Sequence, residues 1–80
     1  MSRARAVVEV IARELASRRD EVQVTESERR GQMVIELTMA PGELGRVIGR
    51  QGRTATALRT LAATAGELDD VRVSVEFCDE

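Results

Sequence analysis

The sequence predicts an α+β domain in the order helix, strand, strand, helix, helix, strand, with a three-stranded mixed sheet carrying its helices on one face. Three observations lead there. Apolar residues recur at three- and four-residue spacing from Ala4 to Leu15, they alternate with polar ones from Met33 to Met39 and from Val71 to Phe77, and glycine or proline punctuates the stretches between. The short connection between the first two strands makes them antiparallel. A pair of helices joins the second strand to the third, the kind of crossover that parallel neighbours require.

Arg3 to about Ser17 reads as an amphipathic helix, with Ala4, Val7, Val8, Ile11 and Leu15 opposite Arg5, Glu9 and Arg13, and Ser2 as its N-cap. Val22 to about Glu28 reads as a half-buried edge strand, and Arg29-Arg30-Gly31 as the turn after it. In the next strand Met33, Ile35, Leu37 and Met39 share one face while Val34, Glu36 and Thr38 take the other. Pro41 suits the first position of a short helix, about Pro41 to Ile48, that buries Leu44, Val47 and Ile48 and ends at Gly49. A longer helix follows from about Arg53 to Ala65, with a buried stripe of Ala55, Leu58, Leu61, Ala62 and Ala65. Gly66 is placed just past its C-terminus in a left-handed conformation. Glu67 to Asp70 forms an acidic loop, Val71, Val73, Val75 and Phe77 form the inward face of the last strand, and the last three residues are expected to fray.

Eighty residues make one domain, taken as 1–80, near the lower limit for a self-sufficient core. One cysteine, Cys78, permits no internal disulfide, and with no histidine no zinc set can be assembled, so no cofactor or metal is expected. Glu9, Arg13 and Glu14 interrupt the first apolar run, which fits neither a signal peptide nor a membrane span, and a cytoplasmic location is expected. The chain also lacks lysine and tyrosine, and no Ser or Cys has a partner base in view. Nucleophilic and acid–base catalysis thus lack their usual groups, and an enzyme is not expected.

The charges are not evenly spread. From Leu44 to Gly66 there is no Asp or Glu, while Arg46, Arg50, Arg53 and Arg59 all fall inside, so this window carries +4 in a chain of net −2 and the remainder carries −6. Within it lies Val47-Ile48-Gly49-Arg50-Gln51-Gly52. Two glycines at that spacing let a backbone turn sharply and let another backbone approach it closely, since neither presents a Cβ. The run follows a helix instead of a strand and lacks a Lys-Ser/Thr pair, so it is neither a dinucleotide fingerprint nor a Walker loop. It reads as a local anion site. The acidic balance elsewhere argues against a general polyanion binder, and a single aromatic, Phe77, disfavours modules that stack bases on exposed rings.

This Gly-X-X-Gly turn at a helix–helix junction, preceded by Val-Ile and set in this element order, resembles the KH domain in its type II, αββααβ arrangement. Through Pro41 and the run from Gly45 to Arg59 the chain is most similar to the small bacterial KH proteins of the KhpA family. The resemblance implies that the loop clamps the backbone of about four nucleotides of single-stranded RNA. It assigns close approach to Gly49 and Gly52, phosphate contact to Arg50 and Gln51, flanking phosphates to Arg46 and Arg53, and the wall of an apolar groove to Val47 and Ile48, which are read partly as groove and partly as core. Arg46 and Arg59 are also open to reading as solvated helix positions. Many KH domains carry a branched aliphatic three residues beyond the second glycine, where this chain has Ala55, so modest base discrimination is expected. The resemblance further implies an RNA chaperone or post-transcriptional regulator connected with cell-wall synthesis, cell shape and division. Its implied partners are a second copy or a larger KhpB-type (Jag) protein. The rival reading is a dimerisation module with little RNA affinity of its own.

Overall fold

The computed structural model describes residues 2–78. It contains α1 (Arg3–Leu15), β1 (Gln23–Arg29), β2 (Gln32–Thr38), α2 (Gly45–Ile48), α3 (Arg53–Leu68) and β3 (Arg72–Cys78), with single 3-10 turns at Arg19–Glu21 and Arg50–Gly52. The sheet order is β1-β2-β3, antiparallel across β1 and β2 and parallel across β2 and β3. This is the α+β, three-stranded mixed sheet expected from the alternation and the helical crossover.

Each element has a local cause. Ser2 caps α1, its Oγ accepting from Arg5 N at 3.0 Å, and the same hydroxyl donates to Glu26 Oε1 at 2.9 Å, tying the helix start to β1. Ala4, Val8 and Ala12 give α1 a narrow, fully buried stripe, which brings its backbone close to the rest of the core. The helix ends at Leu15, short of Ser17. Central β2 supplies Ile35 and Leu37, both fully buried, and in register Ile35 lies between Glu26 of β1 and Val75 of β3. Leu58 of α3, Val47 of α2 and Val8 of α1 close over that face.

The structure corrects several local expectations. Pro41 does not start a helix. Glu43 N donates to Ala40 O at 3.0 Å and Gly42 has φ +83°, so Pro41 and Gly42 occupy the central positions of a turn with the make-up of type II, and helical geometry begins only at Gly45. Gly66 is not the residue beyond α3 but a buried residue inside it. A Cβ there would lie 2.9 Å from Val71 O and closer still to Val73 Cγ2, so glycine lets α3 lie against the start of β3. The helix runs on to Leu68, and Asp70, at φ +59°, takes the left-handed position. Leu61 is 51% exposed instead of buried, because it points about a quarter turn away from the stripe of Ala55, Leu58, Ala62 and Ala65.

Val34 is buried although it sits on the sheet face away from the helices. Arg29, in register with Gln32, reaches Glu36 and Glu76 at 3.7 Å each, and to do so its side chain crosses Val34. Cys78 is not frayed but pairs with Thr38 in β3; the other two residues expected to fray, Asp79 and Glu80, lie outside the described residues. No described helix is long and apolar enough to cross a membrane.

Candidate functional site

α2 is a single turn, closed where Gly49 N donates to Gly45 O at 3.0 Å. Gly49 then takes φ +76° with ψ 174°, a combination essentially confined to glycine, and this turns the chain out of the helix. Gln51 (φ +58°, ψ 23°) and Gly52 (φ +72°, ψ 14°) are both left-handed, and Gly52 N closes back on Gly49 O at 3.1 Å. The two glycines are required for different reasons. A Cβ on Gly49 would lie 2.8 Å from Thr54 Cβ and closer still to its Oγ1, whereas a Cβ on Gly52 would meet nothing within 4 Å. The open space at Gly52 is the side from which another molecule can approach the backbone.

The donors left over by this turn face outward. Among the described residues, neither Arg50 N nor Gln51 N donates to a backbone or side-chain acceptor, and the Arg50 side chain, exposed, makes no ion pair. α3 begins here with no side-chain cap on its first N–H groups, so its sixteen residues point the positive end of their dipole at the loop. Arg53 donates through Nη2 to Gln51 Oε1 at 2.7 Å, which orients the Gln51 amide from below. Exposed N–H donors, a helix N-terminus and a guanidinium charge with no acidic partner among the described residues suit an anionic ligand.

Of the predicted site residues, Gly49, Arg50, Gln51, Gly52 and Arg53 are brought together in this one turn. Val47 and Ile48 divide. Val47 is fully buried against the core, the one inward position of the single turn of α2; Ile48 is 37% exposed and is not the buried residue expected of the short helix. Arg46 is held by Nε to Glu43 Oε2 at 3.1 Å. Arg59 is exposed, as a solvated helix position would be, and lies away from the loop. It donates to Val75 O at 3.4 Å and lies over the Phe77 ring at 4.8 Å from the centroid, about 9 Å along α3 from Arg53.

Glu43 was not among the predicted site residues. It is the buried charged side chain of the described core, 7% exposed, and it gathers Ser17 N at 3.0 Å, Ser17 Oγ, Arg18 N at 3.1 Å and Arg46 Nε. The Ser17 hydroxyl, the Arg18 backbone and, to a smaller degree, the Ser17 backbone and the Arg46 charge hold its carboxyl below the ordinary carboxylate range, against the opposing effect of burial. Its sequence signal was position: it is the last acid before the acid-free window. At the far end of α3, Asp69 accepts from Arg3 N at 3.1 Å and pairs with the Arg3 guanidinium, which lowers its pKa as well. Charge is therefore separated along α3, basic at the loop and acidic at Glu67, Asp69 and Asp70.

The family model for the KhpA/KhpB KH domain matches residues 5–77. The chain is 46% identical to the RNA-binding protein KhpA of Aquifex aeolicus over 99% of this chain and all of that protein. It is 42% identical to RNA-binding protein KhpA of Clostridium acetobutylicum over 89% of this chain and 95% of that one, and 39% identical to the Chlamydia muridarum protein of the same name over 88% and 90%. Among solved structures, Aquifex aeolicus Era bound to GDP and tetrafluoroaluminate superposes with a TM-score of 0.67 at 19% identity, over 96% of this chain and 30% of that one, a likeness of fold. The element order, the mixed sheet, the Gly-X-X-Gly turn between α2 and α3 and the match over nearly the whole chain lead to one conclusion: this protein belongs to the KhpA/KhpB family of KH domains, with the type II KH-like fold.

Proposed function

We propose that residues 1–80 act as one KH domain that binds single-stranded RNA by gripping its sugar–phosphate backbone at Gly49–Gly52. The observation that carries this reading is the outward-facing Arg50-Gln51 pair, whose N–H groups lack acceptors among the described residues, at the positive end of α3 in an acid-free stretch. The names of the relatives, RNA-binding proteins at 39–46% identity, support RNA as the anion. In this reading Gly52 admits the backbone, Arg50 and Gln51 contact phosphate, Arg53 and Arg46 hold neighbouring phosphates, and Ile48 offers the exposed apolar contact for a base, with Val47 supporting it from the core. Ala55, 4% exposed, adds no wall to the groove, so base discrimination is modest and many RNAs are accepted. That breadth suits a chaperone or post-transcriptional regulator. The family resemblance connects that role with cell-wall homeostasis and cell shape, in the cytoplasm, without catalysis.

A second reading, compatible with the first, is a dimerisation module. Leu61 and Leu68 of α3 and Val10 of α1 are 51%, 71% and 62% exposed, large apolar side chains on the helix layer that a partner surface could cover. A second copy or a KhpB-type partner would cover them. Replacing Arg50 and Gln51 together by Asp separates the readings. After circular dichroism confirms folding, titration of labelled single-stranded RNA at fixed salt is expected to show at least a tenfold loss of affinity. Unchanged affinity would refute the clamp and leave the module.

A further inference from the structure

The buried carboxylate of Glu43 does more than the fold asks of it. Ser17 N, Ser17 Oγ and Arg18 N already tie it to the segment leaving α1, and these three donors account for the staple between that segment and the loop before α2. The fourth donor is Arg46 Nε at 3.1 Å. Arg46 lies on α2, whose last N–H bond is the one Gly49 makes, so it rises from the same turn that launches the clamp. A guanidinium presents five donors in a rigid fork, and a carboxylate that takes only Nε fixes the plane while leaving the terminal nitrogens for a second acceptor. The Arg46 side chain is 54% exposed while that of Glu43 is 9% exposed, so the held edge faces the protein and the rest reaches solvent.

We propose that Glu43 is a positioning residue for RNA binding: it pre-orients Arg46 so that the outer edge of the guanidinium meets a phosphate next to the one at Arg50. The inference rests on the RNA-clamp reading and deepens it. An unheld arginine keeps its charge but surrenders rotamer freedom on every contact, so positioning and charge contribute separately. They also oppose each other here. Removing the Glu43 charge strengthens the local positive field and by itself tightens RNA binding, whereas removing its hold on Arg46 weakens it; the carboxylate is turned into the protein, where two backbone N–H groups and a hydroxyl solvate it, so the loss of positioning dominates.

The test is a double-mutant cycle of Glu43→Gln and Arg46→Ala, with affinity for a fluorescein-labelled single-stranded RNA oligonucleotide measured across a salt series, and with the Arg50→Asp variant alongside. Arg46→Ala is expected to weaken binding about tenfold and to reduce the salt slope by about 0.7, the loss of one single-strand phosphate contact. Glu43→Gln is expected to weaken binding about threefold to tenfold in the wild-type background, to keep the slope, and to have no further effect when Arg46 is already Ala. Equal losses in both backgrounds would mean that Glu43 acts only through the fold, and tighter or unchanged binding would mean that its charge outweighs its hold; either overturns the proposal. If Arg50→Asp binds as wild type, the clamp reading fails and takes the inference with it, whereas loss at Arg50 without coupling between Glu43 and Arg46 sinks the inference alone. Arg46→Lys serves where Glu43→Gln destabilises the fold: it keeps the charge without the fork, and wild-type affinity for that variant also overturns the proposal.

Discussion

Gly49→Ala and Gly52→Ala look like the same substitution, yet the geometry makes them differ. At Gly52 the backbone is left-handed (φ +72°, ψ 14°) and a methyl group would meet nothing within 4 Å, so the cost is that of a non-glycine residue in that region, about 1–2 kcal/mol. At Gly49 the pair φ +76°, ψ 174° lies outside even that region, at about 1–3 kcal/mol, and a methyl group 2.8 Å from Thr54 Cβ adds overpacking of about 1–3 kcal/mol. A chain of 80 residues has roughly 4–12 kcal/mol of stability in all, so Gly49→Ala removes a large share of it. Urea titration followed by far-ultraviolet circular dichroism reads the difference as a shift in midpoint at constant slope. Thr54→Ala, which removes the nearest clashing atom, is expected to recover part of the Gly49→Ala loss and none of the Gly52→Ala loss. Equal losses at the two glycines, or strict additivity with Thr54→Ala, would refute this division of labour.

Gly66→Ala should destabilise although alanine is the better helix former by about 1 kcal/mol, because its methyl group would strike Val73 and the Val71 carbonyl; thermal melting of Gly66→Ala and of its double with Val73→Ala should show a drop and a partial rescue, and a stabilised Gly66→Ala would contradict the packing described. Arg59→Ala should cost about 0.5–1 kcal/mol through its lost contact with Phe77 while leaving the salt slope of RNA binding unchanged, and a lower slope would place Arg59 among the phosphate ligands. Glu43 and Asp69 both have folded-state pKa values below their ordinary 4.5 and 3.8, so the unfolded chain binds protons more readily. Their stabilisation is complete above those ordinary values and is lost as the pH falls through the lower folded ones; the urea midpoint should hold from pH 7 to about 5, decline in acid, and decline less steeply for Glu43→Gln.

What could be read from the sequence was what depends on local periodicity. Alternation from Met33 to Met39 and from Val73 to Phe77 placed two strands, three- and four-residue spacing placed α1 and α3, and the crossover argument placed β3 beside β2. The loop was legible for the same reason, since two glycines, a basic middle and the missing acids all lie within a few residues. The failures concern contacts between distant segments. Gly66 reads as a helix end from its neighbours, and only the approach of Val73 makes it a packing residue. Val34 reads only as lying on the far face of the strand, and its burial there becomes clear when Arg29 is seen to cross the sheet. Glu43 carries no local signal beyond its place before the acid-free window and becomes a buried four-donor hub only when the segment after α1 delivers Ser17 and Arg18 to it. Pro41 is a milder case: the Pro-Gly pair was a turn signal in plain view, overridden by the preference of proline for helix starts.

In the proposed clamp, RNA is held by the backbone and side chains of Gly49 to Arg53. Its most direct test is to follow the amide resonances of isotopically labelled protein while single-stranded RNA is added. The largest shifts are expected at Arg50 and Gln51, whose N–H groups have no acceptor among the described residues, and at Gly52, Arg53 and Thr54, with little change at Leu61, Leu68 or along β1. Shifts centred on Leu61 and Leu68, or none in the loop at saturating RNA, would contradict it.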